Sequence, residues 1–394
     1  MNSVASFHLR EGKTKNKIYE KSQSFDTFIS NTGVIPKTQL ERAVHLLKQY
    51  LNSEQDQKKT QILNEVLRNL TTENADRSEF KLTVPICDEL AKIPDEHVPR
   101  YLYHRYRYDI FPAKKLLDNY PTYLQIEPTS ICNFRCVFCY QTDVSFTAKD
   151  KGHMGTMSFN LFKELIDQAD GHIDFLSLAS RGEPLVCKDI DSMLKYCLGK
   201  FLSLKLNTNA SLLTEKLCHS ILAGGVNTLV FSADAAEEPL YSKLRVNGKL
   251  QKILDNIKMF RAVKEKHYAS SEIITRVSGV RFSDEQSMPS MIDVWGPIVD
   301  QVCFVKYNPW ENVYESLVNQ VSLPCTDLWR RMFVWFDGTV NPCDTDYKST
   351  LSVGNIKEKN ISELWLGEEY ESLRKVHLAN QRQTVNPCRR CTVV

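Results

Sequence analysis

The stretch Ile131-Cys132-Asn133-Phe134-Arg135-Cys136-Val137-Phe138-Cys139-Tyr140 follows a strand-like run and contains three cysteines spaced C-x3-C-x2-C. Three thiolates at this spacing can ligate one iron–sulfur cluster. Because a cubane cluster has four irons, three protein ligands leave one iron open to a small molecule, which is an arrangement for catalysis. Zinc is the alternative, but a tetrahedral zinc ion requires a fourth Cys or His, and none lies close in the sequence. The stretch therefore predicts an open-site iron–sulfur centre.

The sequence around this stretch alternates strand-like and helix-like runs, which predicts parallel strands joined by helical crossovers. Six strands are predicted, at residues 123–128, 174–179, 202–208, 228–232, 273–280 and 302–307. Residues before this region contain no cluster motif and have mainly helical periodicity. We therefore expect an α/β fold in three parts: a helical N-terminal extension over residues 1–117, a partial (β/α)6 barrel over 118–317, and a small C-terminal iron–sulfur domain over 318–394.

The cysteine triplet, with Phe138 just before its last cysteine, resembles the signature of radical S-adenosylmethionine (SAM) enzymes. The usual core of that family is an open, partial (β/α)6 barrel, and in such barrels the chemistry lies at the C-terminal ends of the strands. The resemblance implies that the open iron binds the amino and carboxylate groups of SAM. It further implies that an electron from the cluster splits SAM and releases a 5'-deoxyadenosyl radical. The resemblance covers roughly residues 120–394.

Short motifs at the predicted strand ends resemble the SAM contacts of this family. Arg181-Gly182-Glu183-Pro184 resembles the family's Gly-Gly-Glu-Pro motif, whose backbone and Glu hold the SAM amino group. Arg181 replaces the first Gly, and we expect it to face solvent or an anionic substrate. Each motif is common by itself, so the order of the motifs along successive strand ends carries the argument. The SAM contacts implied by the resemblance are Phe138, Gly182, Glu183, Pro184, Asn207, Asn209, Ser232, Asp234 and Arg245.

A second set of cysteines lies near the C-terminus. Cys325 is followed after seventeen residues by Cys343, and after a further forty-four by the pair Cys388 and Cys391. Four thiolates make a closed site, which by itself fits either a four-cysteine zinc site or an iron–sulfur cluster. The spacing resembles the SPASM/Twitch extension of radical SAM enzymes. Because three residues follow Cys391, this resemblance implies one auxiliary four-iron cluster, as in the shortened Twitch form.

The arrangement of one open and one closed cluster resembles the 2-deoxy-scyllo-inosamine dehydrogenases, a branch of the family with a single auxiliary cluster. This resemblance implies a radical SAM oxidoreductase that dehydrogenates or remodels a carbohydrate, a cyclitol or a nucleotide-linked sugar. Arg276 and Tyr307, on or after the last predicted barrel strands, are the candidate catalytic residues. If the enzyme is instead an epimerase, Cys303 is the candidate hydrogen-atom donor.

Two further functions remain open. Modification of a ribosomal peptide is common among SPASM proteins, but those enzymes usually have a peptide-binding module with a strand pair, and residues 1–117 lack a hairpin pattern. An iron–sulfur electron carrier is the non-enzyme alternative, although a carrier does not require an open iron.

Composition limits the partners. The net charge of +2 provides no broad basic field, so we expect a small-molecule substrate and neither nucleic acid nor a membrane. The first residues have no apolar signal segment, and twelve cysteines without one favour reduced thiols in the cytoplasm. The resemblance also implies a flavodoxin or ferredoxin as electron donor.

Overall fold

The computed structural model describes residues 17–21, 29–30, 35–72 and 79–393. The strands of this part of the chain, numbered in order, are β1 (Lys17–Lys21), β2 (Ile29–Ser30), β3 (Tyr123–Ile126), β4 (Arg135–Cys136), β5 (Phe175–Leu178), β6 (Ser203–Thr208), β7 (Thr228–Ser232), β8 (Arg245–Val246), β9 (Ile274–Arg281), β10 (Gln301–Lys306), β11 (Arg331–Val334), β12 (Thr339–Asn341) and β13 (Gly354–Asn355).

Its α-helices are α1 (Lys37–Leu51), α2 (Gln57–Thr71), α3 (Val84–Leu90), α4 (Val98–Lys114), α5 (Val144–Thr147), α6 (Phe159–Ala169), α7 (Ile190–Cys197), α8 (Glu215–Ala223), α9 (Leu240–Leu244), α10 (Leu250–His267), α11 (Met288–Trp295), α12 (Ile361–Trp365) and α13 (Glu368–Leu378). None of the helices in the described ranges has the length and hydrophobicity needed to cross a membrane.

The centre of the fold is a run of parallel strands in the order β3-β5-β6-β7-β9-β10. These are the six strands that the sequence predicts, so the α/β prediction is confirmed. The crossover helices pack their apolar faces on the outside of the sheet. In α6, for example, Ser158 caps the first turn through the backbone N–H of Leu161, and Leu161, Phe162, Leu165 and Ile166 are buried. Alternate strand residues face the inside of the barrel.

The N-terminal helices close the bottom of the barrel, at the start of its strands. The His104 ring of α4 stacks on Phe175 of β5 with centroids 3.7 Å apart. Arg100 of α4 forms an ion pair with Asp174, which directly precedes β5, at 2.5 Å. The aromatic and basic sequence of α4 is therefore a cover for the barrel floor, at the end opposite to the strand termini where the predicted chemistry lies.

Residues 1–117 are not purely helical, which corrects the expectation from the sequence. β1 pairs in parallel with β10, and β2 pairs antiparallel with β1, so both extend the barrel sheet. The five-residue β1 is too short to stand out by periodicity, and its hydrogen-bond partners come from β10 (Gln301–Lys306), which is distant in sequence. The missing strand pair that counted against peptide substrates is thus present, and that argument was wrong.

The C-terminal region also joins the barrel sheet. β11 pairs in parallel with β3, and β12 and β13 continue outward as antiparallel neighbours. Within the residues that the structure describes, this sheet has eleven strands. The boundary between residues 317 and 318 stays a prediction, because β11 belongs to the sheet of the preceding part.

Candidate functional site

A cavity of about 230 Å³ opens at the carboxyl ends of the barrel strands. This is where a barrel of this kind carries its chemistry. It brings together most of the predicted site residues, namely Cys132, Cys136, Phe138, Cys139, Gly182, Glu183, Pro184, Asn207, Asn209, Ser232, Arg245 and Tyr307. The sequence analysis did not single out Ser180, Val280 or Trp310, which also line it; the positions of Ser180 and Val280 at strand ends could have indicated them.

The three N-terminal cysteines lie on the loop that follows β3, and this loop forms one wall of the cavity. β4, which contains Cys136, pairs antiparallel with β8, which contains Arg245, so Cys136 and Arg245 are direct partners. The Arg245 guanidinium lies 3.7 Å from Cys136 Sγ, and the backbone N–H of Phe134 lies 3.4 Å from Cys132 Sγ. Burial raises the pKa of Cys132 to about 12. A bound metal would displace the proton, because thiolate is the ligand form.

Gly182 and Glu183 form the opposite wall. A side chain at Gly182 would meet the carbonyl oxygen of Thr129 at 2.3 Å, so only glycine allows the two backbones to lie this close. The buried Glu183 carboxylate accepts hydrogen bonds from the Thr208 hydroxyl at 2.6 Å and from the Asn209 backbone at 2.7 Å. It also accepts one from the Leu185 backbone. A carboxylate has about four acceptor positions, so one remains for a cationic ligand such as an amino group.

Arg181 corrects a prediction. The residue lies in the cavity wall but is only 3% exposed, and its side chain pairs inside the protein and does not face solvent. The guanidinium forms a bidentate ion pair with Glu127, with Nη2 2.6 Å and Nε 2.7 Å from the two carboxylate oxygens. Motif position alone could not reveal this, because Glu127 lies 54 residues earlier in the chain.

Asp234 does not line the cavity, although the resemblance implied a SAM contact. Its carboxylate lies behind Arg245, with Oδ2 2.5 Å from the arginine Nε, and it accepts a 2.6 Å hydrogen bond from the backbone of Val280. Burial would lower the pKa of Arg245, but Asp234 and Cys136 raise it overall and keep the guanidinium charged. Asp234 therefore orients the Arg245 guanidinium and helps to keep it protonated, and Arg245 is the residue that lines the cavity.

The three predicted catalytic residues lie at different depths. Tyr307 lines the cavity, and its hydroxyl donates to Glu311. Arg276 is the third residue of β9, about 13 Å in strand length before the lining residue Val280, and its Nε donates to Gln301 Oε1 at 2.8 Å. Cys303 is buried in the middle of β10 and does not line the cavity. The cavity thus includes Tyr307 and leaves Arg276 and Cys303 below it.

The four C-terminal cysteines lie within electrostatic range of one another. Burial raises the pKa of Cys343, and the charges of Asp346 and of the three other cysteines of the set add to the effect. Their donor set of soft thiolates suits zinc or an iron–sulfur cluster. Among the residues that the structure describes, no three His, Cys, Asp or Glu side chains are grouped as one metal ion would require.

A small aromatic core lies between the two cysteine sets. Tyr140, Phe146 and Tyr347 pack with Cys391, and the partly buried Cys139 and Cys325 lie against the same core. Tyr140 stacks on Tyr347 with centroids 4.9 Å apart. The two cysteine sets therefore share one packed core.

Comparison with sequence families finds two matches. Residues 126–275 match the radical SAM superfamily, and residues 325–392 match the iron–sulfur cluster-binding domain SPASM. Each match contains the cysteine set that the sequence analysis assigned to that kind of cluster.

Known proteins give a consistent fold. The chain is 22% identical to the S-adenosyl-L-methionine-dependent 2-deoxy-scyllo-inosamine dehydrogenase of Niallia circulans over 71% of this chain and 95% of that protein. Several GTP 3',8-cyclases are matched over less than half of their own length. Streptococcus suis SuiB, solved with its precursor peptide SuiA, has a TM-score of 0.52 at 16% identity, covering 80% of this chain and 78% of SuiB. The SAM-bound anSMEcpe structure has a TM-score of 0.51 at 14% identity, covering 69% and 88%.

Proposed function

Because this chain is a radical SAM enzyme with a SPASM iron–sulfur domain, we propose that it oxidises an alcohol of a carbohydrate, a cyclitol or a nucleotide-linked sugar to a ketone. Its cofactors are SAM and two iron–sulfur clusters, one with an open iron and one auxiliary. When bound, they supply hydrogen-atom abstraction and one-electron redox chemistry. The oxidation balances when the alcohol carbon loses a hydrogen atom, the hydroxyl loses a proton and the auxiliary cluster accepts the remaining electron.

The observation that supports this proposal most directly is the position of Asn308. It lines the cavity and is 9% exposed. Its Oδ1 accepts a 2.9 Å hydrogen bond from the Thr392 hydroxyl, next to the auxiliary ligand Cys391. The cavity wall therefore continues directly into the auxiliary site. An electron leaving a substrate radical in the cavity has a short path to an acceptor, which dehydrogenation needs and hydrogen-atom return does not.

The cavity lining supports a polyhydroxylated ring as substrate. Trp310 and Tyr307 offer aromatic faces, and Asn308 offers an amide group. A largely apolar wall with a few placed polar groups is the usual composition of a small-molecule site. Aromatic faces suit the C–H face of a sugar or cyclitol, and amides can donate to or accept from its hydroxyls.

The proposed SAM contacts are those predicted residues that line the cavity, from Phe138 to Arg245, with Asp234 acting through Arg245. Tyr307 is the proposed substrate-facing residue. The twelve cysteines, all in the described part of the chain, form no disulfide, which supports a reducing compartment and hence the cytoplasm. A flavodoxin or ferredoxin is the proposed source of the electron that starts turnover.

The test uses anaerobically reconstituted enzyme, SAM, a chemical reductant and a panel of sugars and cyclitols. We expect one ketone, trapped as a hydrazone, for each 5'-deoxyadenosine formed. In the variant Asn308→Ala we expect ketone to fall relative to 5'-deoxyadenosine, whereas Asn312→Ala, an exposed asparagine in the same segment, should behave as wild type. Formation of 5'-deoxyadenosine with no ketone from any alcohol would refute the proposal.

A second candidate function is peptide modification, and the strand pair β1 and β2 favours it. β2 is the outermost strand of the sheet, and an extended peptide can add to such an edge through backbone hydrogen bonds. The discriminating experiment replaces the sugars by a library of short peptides and follows product masses. Loss of two hydrogens from a peptide, with no ketone from the sugar panel, would select this function.

A further inference from the structure

The loop that forms the Glu183 wall of the cavity begins with a strained residue. Ser180 has a φ of +137°, which is unfavourable for a residue with a side chain. Such a conformation persists only if the surroundings hold it. Two bonds from the cysteine loop do so: the Tyr140 hydroxyl donates to the Ser180 carbonyl at 3.0 Å, and the Gln141 amide donates to the Arg181 carbonyl at 2.5 Å.

Arg181 makes a third set of contacts that fix the loop, and these contacts extend to the C-terminal domain. Its backbone N–H and its side chain both bond to Glu127, and its Nη1 donates to the Tyr347 carbonyl at 2.9 Å. The guanidinium also lies over the Trp335 ring, 4.2 Å from the centroid. A glycine at this position, as in the Gly-Gly-Glu-Pro motif that this stretch resembles, could make none of these side-chain contacts. Arg181 therefore connects the loop to residues that follow β11 and Cys343.

Glu127 completes the connection. Its side chain is fully buried, and besides Arg181 it accepts a 3.2 Å hydrogen bond from the Phe336 backbone. Four donors thus occupy the four acceptor positions of the carboxylate. Separation of the C-terminal segments would leave the buried pair without its hydrogen bonds to the Phe336 N–H and the Tyr347 carbonyl, and buried polar atoms that lose a partner cost stability.

Tyr347 joins this connection to the auxiliary site. It lies four residues after Cys343, and its ring packs on Tyr140, which directly follows Cys139. Ligation of Cys343 by the auxiliary cluster would order the segment that presents the Tyr347 carbonyl to Arg181. A contact that depends on one site and orders the other gives a coupling free energy between the two, and such coupling is reciprocal.

We propose that Arg181 is a positioning residue that transmits occupancy of the auxiliary site to the SAM-binding loop, so that the auxiliary cluster strengthens SAM binding. The coupling goes beyond the proposed oxidation and does not depend on which substrate the enzyme uses. It can therefore be tested with SAM alone, and a failure of the proposed oxidation would leave the result unaffected.

The experiment measures the SAM dissociation constant of reconstituted enzyme without substrate, from the change that SAM causes in the EPR spectrum of the reduced first cluster. We expect Arg181→Met to weaken SAM binding about fivefold or more, the range of ordinary site coupling. Arg181→Lys should recover part of the loss, since lysine keeps the charge but not the bidentate geometry.

Arg374→Met is the matched control. Arg374 is also a buried arginine of the C-terminal domain, lies over the rings of Trp365 and Tyr370, and donates to backbone carbonyls. It does not contact the loop, so its removal should leave the SAM dissociation constant unchanged at equal iron content. If both arginine variants weaken SAM binding equally, Arg181 has only a structural role and the proposal is overturned.

A double-mutant cycle tests the transmission itself. Cys343→Ser, which removes a ligand of the auxiliary cluster, should weaken SAM binding in the wild-type background and have no further effect with Arg181→Met. Effects that simply multiply would overturn the proposal. If Arg181→Met does not fold, Trp335→Leu replaces it in the cycle, because this change removes the ring under the guanidinium and leaves the ion pair with Glu127. In that cycle, an absent Cys343→Ser effect in the Trp335→Leu background supports the proposal, and effects that multiply overturn it.

Discussion

Replacing Asp234 by asparagine should destabilise the enzyme strongly while leaving the shape of the site almost unchanged. The Arg245 and Asp234 side chains are 7% and 0% exposed, and their charged atoms lie 2.5 Å apart. Loss of one partner from a buried ion pair costs about 3–5 kcal/mol, because the remaining charge has neither water nor a counter-ion. Asparagine keeps an oxygen that can accept the hydrogen bond from Val280, so the measured loss reports mainly the missing charge.

The assay is urea unfolding of anaerobically reconstituted protein, followed by tryptophan fluorescence. The expected loss of about 3–5 kcal/mol is a large part of the usual 5–15 kcal/mol of a folded domain. The double variant Asp234→Asn with Arg245→Met should recover most of the stability, because an apolar replacement removes the uncompensated charge. It should not recover SAM binding, since Arg245 is then absent from the cavity.

An exposed ion pair provides the control for this prediction. Lys243 Nζ lies 2.7 Å from Glu285 Oε1, a distance close to that of the buried pair, but both side chains are about 60% exposed. Glu285→Gln should change the free energy of unfolding by less than about 1 kcal/mol. If Asp234→Asn has an effect as small as this control, or if the double variant is less stable than the single one, Asp234 does not compensate the charge of Arg245 and the reasoning fails.

Three further results are expected. Burial and, to a smaller extent, the charges of Arg276 and Arg331 lower the pKa of Lys205 to about 7. Above this pH the unfolded chain binds a proton that the folded chain lacks, so the free energy of unfolding should rise with pH from about 7 to 10. Lys205→Met should flatten this slope in urea titrations. Iron analysis should give about eight irons per chain and about four in Cys132→Ala, whose auxiliary cluster remains; an equal content in both would contradict two separate clusters. Trp310→Ala should raise the KM for the sugar or cyclitol and leave the SAM dissociation constant unchanged, and a change in SAM affinity alone would contradict its place beside the substrate.

The barrel and the location of the site could be predicted because both depend on local pattern. Alternating strands and helices require parallel strands, and parallel strands bring their carboxyl ends to one edge. Residues at or beyond the strand ends, such as Glu183 in the loop after β5 and Asn209 directly after β6, therefore meet in one cavity although they are far apart in sequence. The C-x3-C-x2-C spacing predicted an open-site iron–sulfur centre by the same local means, whereas the C-terminal cysteines by themselves also fitted a zinc site.

Depth along a strand and side-chain partners could not be predicted in this way. Strand periodicity shows that Arg276 faces inward, but four residues separate it from the level of the cavity. For Arg181 the motif indicated a position beside the cofactor, while its partners come from residues 54 and 166 positions away. The sequence cannot show that a charged side chain at a motif position pairs inside the protein unless the partner is also known.

The predicted division of the chain into three parts separates the two cysteine sets, but the strand pairing of the sheet runs across it. β11 is the neighbour of β3, and the backbone of Glu127, which leads into the cysteine loop, donates to Val334 at the end of β11. Without the C-terminal segment, β3 would become an open edge strand and the Glu127 and Arg181 pair would lose the Phe336 and Tyr347 contacts. A motif search separates the two cluster domains because each contains its own cysteines. The backbone pairing shows that the first domain acquires its complete sheet, and the loop at its cofactor site its final support, only when the second is in place.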